Sequence, residues 1–147
     1  MPLRPCRSPA ATCARSSGAA LDTQRAMARH TPVHAYDFAE AESPYFKSVP
    51  RPASFSLGTG HMVDLAYLFD NDLFEPLDTT QARLSDTVIG HWSRFVATGQ
   101  MAGHGLPGWK RFTTRDPYVQ RLASDRAGRT DFEADHHHAF WTALATS

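Results

Sequence analysis

Histidine is the residue type in this sequence that most readily does chemistry, because an imidazole exchanges protons near neutral pH and also binds metal ions. The chain has 147 residues and eight histidines, three of them consecutive at His136, His137 and His138. Neighbours on a helix point about 100° apart, so this run cannot converge on one ion as histidines at i and i+4 do. We expect a solvated helix face with one buried imidazole. A histidine-rich metal binder stays open as an alternative.

His61 differs from the other histidines in the residues that precede it. It follows Gly58, Thr59 and Gly60, and glycine allows the backbone to take positive φ and turn sharply. Such a turn gives an imidazole the exposure and mobility that a general base needs. A Ser-His-acid catalyst also needs a nucleophile, which one class of hydrolases presents on a G-x-S-x-G turn. The sequence contains no such motif, so His61 is a candidate base without a recognisable nucleophile in this chain.

The remaining histidines and the cysteines carry weaker signals. We expect surface or packing roles for the isolated histidines, which are His30, His34, His91 and His104. Cys6 and Cys13 have no second pair and no C-x-x-C spacing, so they predict neither a zinc site nor a disulfide framework. We therefore expect no metal and no cofactor.

The elements that position His61 follow from hydrophobic patterning and from the places of glycine and proline. The predicted order is a helix over Leu21–Arg29, a strand over Val33–Phe38, a loop over 39–56, an apolar helical run over Met62–Phe69, a helix from Asp78 or Thr79 to Gly99, a turn over Gly103–Trp109, a strand over Tyr118–Leu122 and a closing helix over about Asp131–Leu144. The strands are in the minority. The pattern predicts one continuous segment of α/β character.

Three of the predicted helices have an apolar face. In the run after His61, the face consists of Leu65, Leu68 and Phe69. In the helix that ends at Gly99, apolar residues recur at three- and four-residue spacing, at Leu84, Val88, Trp92, Phe95 and Val96. In the closing helix, the face consists of Phe132, Ala139, Phe140, Ala143 and Leu144. We expect each face to pack against a core.

Five stretches of the sequence form a recognisable set when they are taken in order. They are the strand segment Pro32–Phe38, the histidine motif Gly58–Phe69, the helix Leu84–Gly99 with its W-x-x-F-x-x-T-G pattern, the turn Leu106–Trp109 and the final pair Phe140–Trp141. Together they resemble the C-terminal region of the type-B carboxylesterase family, which includes para-nitrobenzyl esterases and cholinesterases. The resemblance covers roughly Leu21 to Ala143.

The resemblance implies the C-terminal part of an α/β-hydrolase fold, with mostly helices, one or two terminal strands and an incomplete sheet. Residues 21–147 would be this portion of the domain, and residues 1–20 a disordered or unrelated leader. By resemblance, His61 is the catalytic base of an ester hydrolase. The serine nucleophile, the acid and the oxyanion turn would lie upstream, so the chain would be inactive alone. Asp64 stands where the family commonly has Glu.

Composition excludes several other classes of function. Fifteen basic residues balance fifteen acidic ones, so no net charge attracts nucleic acid or an anionic membrane. No apolar run approaches the length of about 18 residues that a membrane-spanning helix needs. We also find no secretory signal, which makes a cytoplasmic location the default expectation. We expect a small-molecule ester substrate only when the rest of the fold is supplied, and self-association of the isolated chain. A non-enzymatic remnant or interaction module stays open as an alternative function.

Overall fold

The computed structural model describes residues 9–51 and 58–146. The described part contains five helices and three strands, in the order α1 (Pro9–Met27), β1 (Ala35–Phe38), α2 (Leu65–Leu68), α3 (Thr79–Thr98), β2 (Val119–Leu122), β3 (Gly128–Thr130), α4 (Phe132–Asp135) and α5 (His138–Thr146). The predicted α/β class, with helices in the majority, is confirmed.

The three described strands form one sheet in the order β1-β2-β3. Residues 123–127 alone connect β2 to β3, and a parallel pair needs a crossover of a dozen or more residues, so these two strands are antiparallel. The strand predicted over 118–122 is confirmed as β2. β3 was not predicted, because its sequence Gly-Arg-Thr has no alternation of apolar and polar residues.

The chain divides into two compact units, of which the first comprises Met1–Ala35, Arg111–Val119 and Thr130–Ser147. Its core is a small cluster of buried side chains, namely Leu21, Val33, Ala35, Phe112 and Val119. The backbone N–H of Phe112 donates to the Val33 carbonyl over 2.8 Å, in an antiparallel bridge. This bridge joins two segments that are far apart in the sequence and so holds the cluster together.

The first helix begins earlier than the predicted start at Leu21. α1 starts at Pro9, and proline suits a first helical position because its missing N–H would have no helical partner there. Pro2 and Pro5 lie outside the described residues. The division at residue 20 between a leader and the domain stays a prediction.

The predicted closing helix is interrupted. Its two parts, α4 and α5, meet at His136 and His137, where His137 takes a left-handed φ of 50°. His136 is half-buried and packs on the Phe132 ring with 4.2 Å between ring centroids, whereas His137 is exposed. The three histidines thus do not share one helix face. None of the three is buried, so the expectation of one buried imidazole was wrong. Phe140 and Leu144, predicted to face a core, are 61% and 58% exposed.

The second unit comprises Tyr36–Lys110 and Gln120–Arg129, and α3 is its longest helix. The carboxylate of Asp78 accepts the N–H groups of Thr80 and Gln81, and the Gln81 side chain accepts the Asp78 N–H in return. Gly99 ends the helix in the left-handed conformation, at φ 68°. The predicted bounds of α3 are therefore confirmed, because both ends are set by local capping chemistry.

The apolar faces predicted for α2 and α3 are only partly buried. In α3, Leu84 and Val88 are buried, whereas Val96 is 84% exposed. In α2, the fully buried side chain is Tyr67, and Phe69, directly after the helix, is 62% exposed. A helix of four residues presents no complete apolar stripe, so one aromatic anchor fixes its orientation.

Candidate active site

His61 lies on a tight turn that leads into α2. The N–H of Val63 donates to the Gly60 carbonyl over 3.5 Å, and the N–H of Leu65 donates to the Met62 carbonyl over 3.0 Å. The His61 side chain is exposed. Among the described residues, it makes no hydrogen bond and no ion pair.

Backbone strain in this turn falls on Met62 and not on the glycine before His61. Gly58 has a φ of 58°, Gly60 has no positive φ, and Met62 has a φ of 69°. The left-handed conformation costs a residue with a Cβ roughly 1–2 kcal/mol. Such residues persist only where surrounding contacts hold them, and they cluster at functional sites. The sharp turn predicted before α2 is present, but a left-handed conformation predicted for the glycines is found at Gly58 and at Met62.

Two side-chain hydrogen bonds fix the turn on either side of His61. The Thr59 hydroxyl donates to the Glu40 carbonyl over 2.9 Å. On the other side, the Tyr36 hydroxyl donates to Oδ2 of Asp64 over 3.4 Å. Asp64 occupies the N-cap position of α2, yet its carboxylate makes no capping bond to the helix. The carboxylate therefore contacts β1 instead of its own helix.

An aromatic cluster holds Tyr36 in place. Its ring meets the Trp92 ring edge to face with centroids 5.1 Å apart, and it meets the Trp109 ring at 6.2 Å. Burial, and after it the negative charge of Asp64, raises the pKa of the Tyr36 hydroxyl above its ordinary value of 10.0. The hydroxyl therefore stays protonated and remains a hydrogen-bond donor to Asp64 through the physiological range.

Behind the turn, Glu40 joins several segments of the second unit. Its carboxylate accepts the backbone N–H of Ser124 over 2.6 Å, and its carbonyl accepts the hydroxyls of Ser43 and Thr59. Tyr67 is fully buried. Burial, and after it the charge of Glu40, raises the pKa of the Tyr67 hydroxyl. The buried Tyr67 side chain is therefore neutral in the folded chain.

Two other histidines of this unit have the surface and packing roles that the sequence predicted. His91 is fully buried, its Nδ1 donates to the Met101 carbonyl over 2.8 Å, and its ring packs against Trp109. His104 is exposed, next to Gly105 at φ 78°. No group of three His, Cys, Asp or Glu side chains within 9–51 and 58–146 is arranged to hold a metal ion.

A cavity of about 340 Å³ lies beside α2 and α3, away from His61. Phe69, Leu77 and Ile89 contribute apolar walls, and Asp70 and Glu75 lie at its border. The backbone N–H of Tyr45, and then the Arg51 guanidinium, holds the pKa of Glu75 below its ordinary value. The lining of this cavity includes carboxylates but no histidine.

Comparison with known proteins agrees with the predicted hydrolase class. The carboxylesterase family matches residues 15–141. The chain belongs to the carboxylesterase family, and its fold is part of an α/β-hydrolase fold.

Three relatives are named as carboxylesterases. Liver carboxylesterase 1 of Oryctolagus cuniculus is 28% identical over 123 residues, which cover 80% of this chain and 21% of that protein. Carboxylesterase 3 of Pongo abelii is 26% identical over 108 residues, covering 67% of this chain and 18% of the relative. Carboxylesterase 3B of Mus musculus is 28% identical over 105 residues, which cover 66% of this chain and 18% of that protein. The chain thus spans about a fifth of the length of these relatives.

No helix in the described ranges is long and apolar enough to cross a membrane.

Proposed function

We propose that this chain is the C-terminal part of a serine carboxylic-ester hydrolase and that His61 is the base of its catalytic triad. The observation that carries the proposal is the match to the carboxylesterase family over residues 15–141. It is supported by the exposed position of His61 on a turn whose next residue, Met62, takes a strained φ of 69°.

In this mechanism, His61 accepts the proton of a serine hydroxyl as the serine oxygen attacks the ester carbonyl. The imidazolium then gives the proton to the departing alcohol, and the same cycle with water releases the acid. An acid holds the imidazole in the correct tautomer, and backbone N–H groups stabilise the oxyanion. The serine, the acid and the oxyanion turn come from protein outside this chain, which contains no G-x-S-x-G motif.

The isolated chain is then inactive, because covalent acyl transfer needs an activated nucleophile and an oxyanion hole as well as a base. We expect para-nitrophenyl acetate to be hydrolysed no faster than with the same concentration of free imidazole. A fluorophosphonate probe should label no serine of the chain. Stoichiometric labelling of one serine would show that the nucleophile is present after all and would overturn this part of the proposal.

The role of His61 is tested where a serine and an acid are supplied, in a chimera that joins this chain to the preceding region of a carboxylesterase relative. In the active chimera, His61→Ala should reduce kcat on the order of 10⁴–10⁶-fold with a smaller change in KM. His104→Ala is the matched control, since His104 is also exposed and also directly follows a glycine. A His61→Ala chimera within about tenfold of its parent would mean that another residue is the base.

We also propose that the isolated chain self-associates and takes a small-molecule ester only as part of the complete fold. The support is apolar surface in the second unit, where Phe69, Leu73 and Val96 are 62%, 60% and 84% exposed. Exposed apolar groups of this kind favour association. Sedimentation velocity should show concentration-dependent oligomers that decrease in a Phe69→Ser, Leu73→Ser, Val96→Ser variant. A monomer at all concentrations would contradict this proposal.

A further inference from the structure

The turn that carries His61 is held by contacts that the resemblance does not explain. Its conformation is strained at Met62, and the local hydrogen bonds are short-range ones between residues three apart. A strained segment keeps its shape only when surrounding contacts over-determine it. Whatever fixes the turn therefore also fixes the direction of the Cα–Cβ bond of His61.

Both fixing contacts run to one stretch of chain, the end of β1 and the residues after it. On one side of His61, the Thr59 hydroxyl reaches the Glu40 carbonyl over 2.9 Å. On the other side, the Asp64 carboxylate accepts from Tyr36 over 3.4 Å. Val63 lies between the two contacts in the sequence, and its side chain is buried at 3% exposure.

The Asp64 carboxylate bonds to Tyr36 and not to its own helix. It occupies the N-cap position of α2, where an aspartate side chain commonly accepts a backbone N–H of its own helix, but it makes no such bond here. Tyr36 is in turn fixed by its edge-to-face contact with Trp92. The contact thus connects α3, through Trp92 and Tyr36, to the residue that begins α2.

We propose that Tyr36 and Thr59 are positioning residues, which clamp the His61 turn onto the end of β1 from both sides. Asp64 and the Glu40 carbonyl are their acceptors. That the clamp serves catalysis rests on the proposed role of His61, but the clamp itself is a property of this chain and needs no substrate to be measured.

Minimal variants remove each hydroxyl and leave the shape of the side chain. Tyr36→Phe keeps the ring against Trp92, and Thr59→Val keeps the branched side chain. Thr59→Ser restores a hydroxyl and is the conservative rescue. The reporters are the exchange rates of the Leu65 and Ala66 amides, which bond to carbonyls within the turn, and the NMR relaxation of the His61 ring.

We expect Tyr36→Phe and Thr59→Val each to accelerate exchange of the Leu65 and Ala66 amides about three- to tenfold, as the loss of one hydrogen bond implies. The His61 ring should become more mobile, while amides in the middle of α3, such as Val88, should change less than twofold. Thr59→Ser should remain within twofold of the parent. Unchanged exchange and unchanged His61 relaxation in both loss variants would overturn the clamp, and so would an equal loss of protection in α3, which would show general destabilisation.

These readouts are separate from the test of the proposed function. If the chimera shows that another residue is the base, a positive exchange result still establishes the clamp. If the clamp fails, His61 can still be the base.

Discussion

Ser85→Ala should weaken the attachment of α2 to α3. The Ser85 hydroxyl donates to the Tyr67 carbonyl over 2.7 Å. This carbonyl belongs to the last turn of α2, where helical carbonyls have no partner within the helix. The substitution therefore leaves a polar group unpaired next to the fully buried side chain of Tyr67.

The size of the effect comes from two opposing contributions. The loss of one part-buried hydrogen bond costs about 0.5–1.5 kcal/mol, while alanine in place of serine within a helix gains ~0.5 kcal/mol. Ser93→Ala is the matched control, because Ser93 lies exposed on the same helix and gains the same helix propensity. The difference in the free energy of unfolding between the two variants should therefore be about 0.5–1.5 kcal/mol, with Ser85→Ala the less stable.

The assay is urea unfolding followed by far-ultraviolet circular dichroism. Both variants are compared at one protein concentration, because association would add to the apparent stability. If the two serine variants agree within ~0.5 kcal/mol, which is the usual range for a surface substitution, the hydrogen bond contributes nothing and the reasoning about α2 is refuted.

Three further predictions concern α2 and α3. The raised pKa of Tyr67 means that the folded chain holds this proton more tightly than the unfolded chain does. The free energy of unfolding should therefore fall as pH rises above 10.0, by at most about 1.4 kcal/mol per pH unit. Urea titrations repeated at each pH should show a less steep fall in Tyr67→Phe. Asp78→Ala removes two capping bonds and should cost ~1 kcal/mol in urea unfolding, with Asp78→Asn close to the parent. Gly99→Ala forces a Cβ into a left-handed conformation and should lower the free energy of unfolding by about 1–2 kcal/mol; an equal effect of Gly108→Ala, which has no positive φ, would contradict this.

Much of the fold could be predicted because the signals are local. The ends of α3 follow from Asp78 and Gly99, whose side chain or conformational freedom acts within one turn. β2 follows from alternation over a few residues. The predictions that were wrong concern features that depend on contacts between residues distant in sequence. Nothing local stops the closing helix at His137, and nothing in the stripe of α3 indicates that Val96 is exposed while Val88 is buried.

The candidate site divides in the same way. The glycines before His61 indicated an exposed turn, and the structure has one. The strain at Met62 and the contacts of Tyr36 and Thr59 were not predictable, because they depend on which segment packs against the turn. A threonine or tyrosine in sequence carries no sign of its partner. Whether His61 is the base stays a prediction.

The placement of the three tryptophans gives the chain built-in optical probes. Trp109 is 3% exposed and has its ring centroid 5.8 Å from that of Trp92, both in the second unit, whereas Trp141 lies in α5 of the first unit. A shielded indole emits at shorter wavelength than a hydrated one, and closely spaced rings give strong near-ultraviolet dichroism. Trp141→Phe therefore leaves an emission spectrum that reports on the second unit alone, and a Trp92→Phe, Trp109→Phe variant reports on the first. Unfolding of each unit can thus be followed without an attached dye.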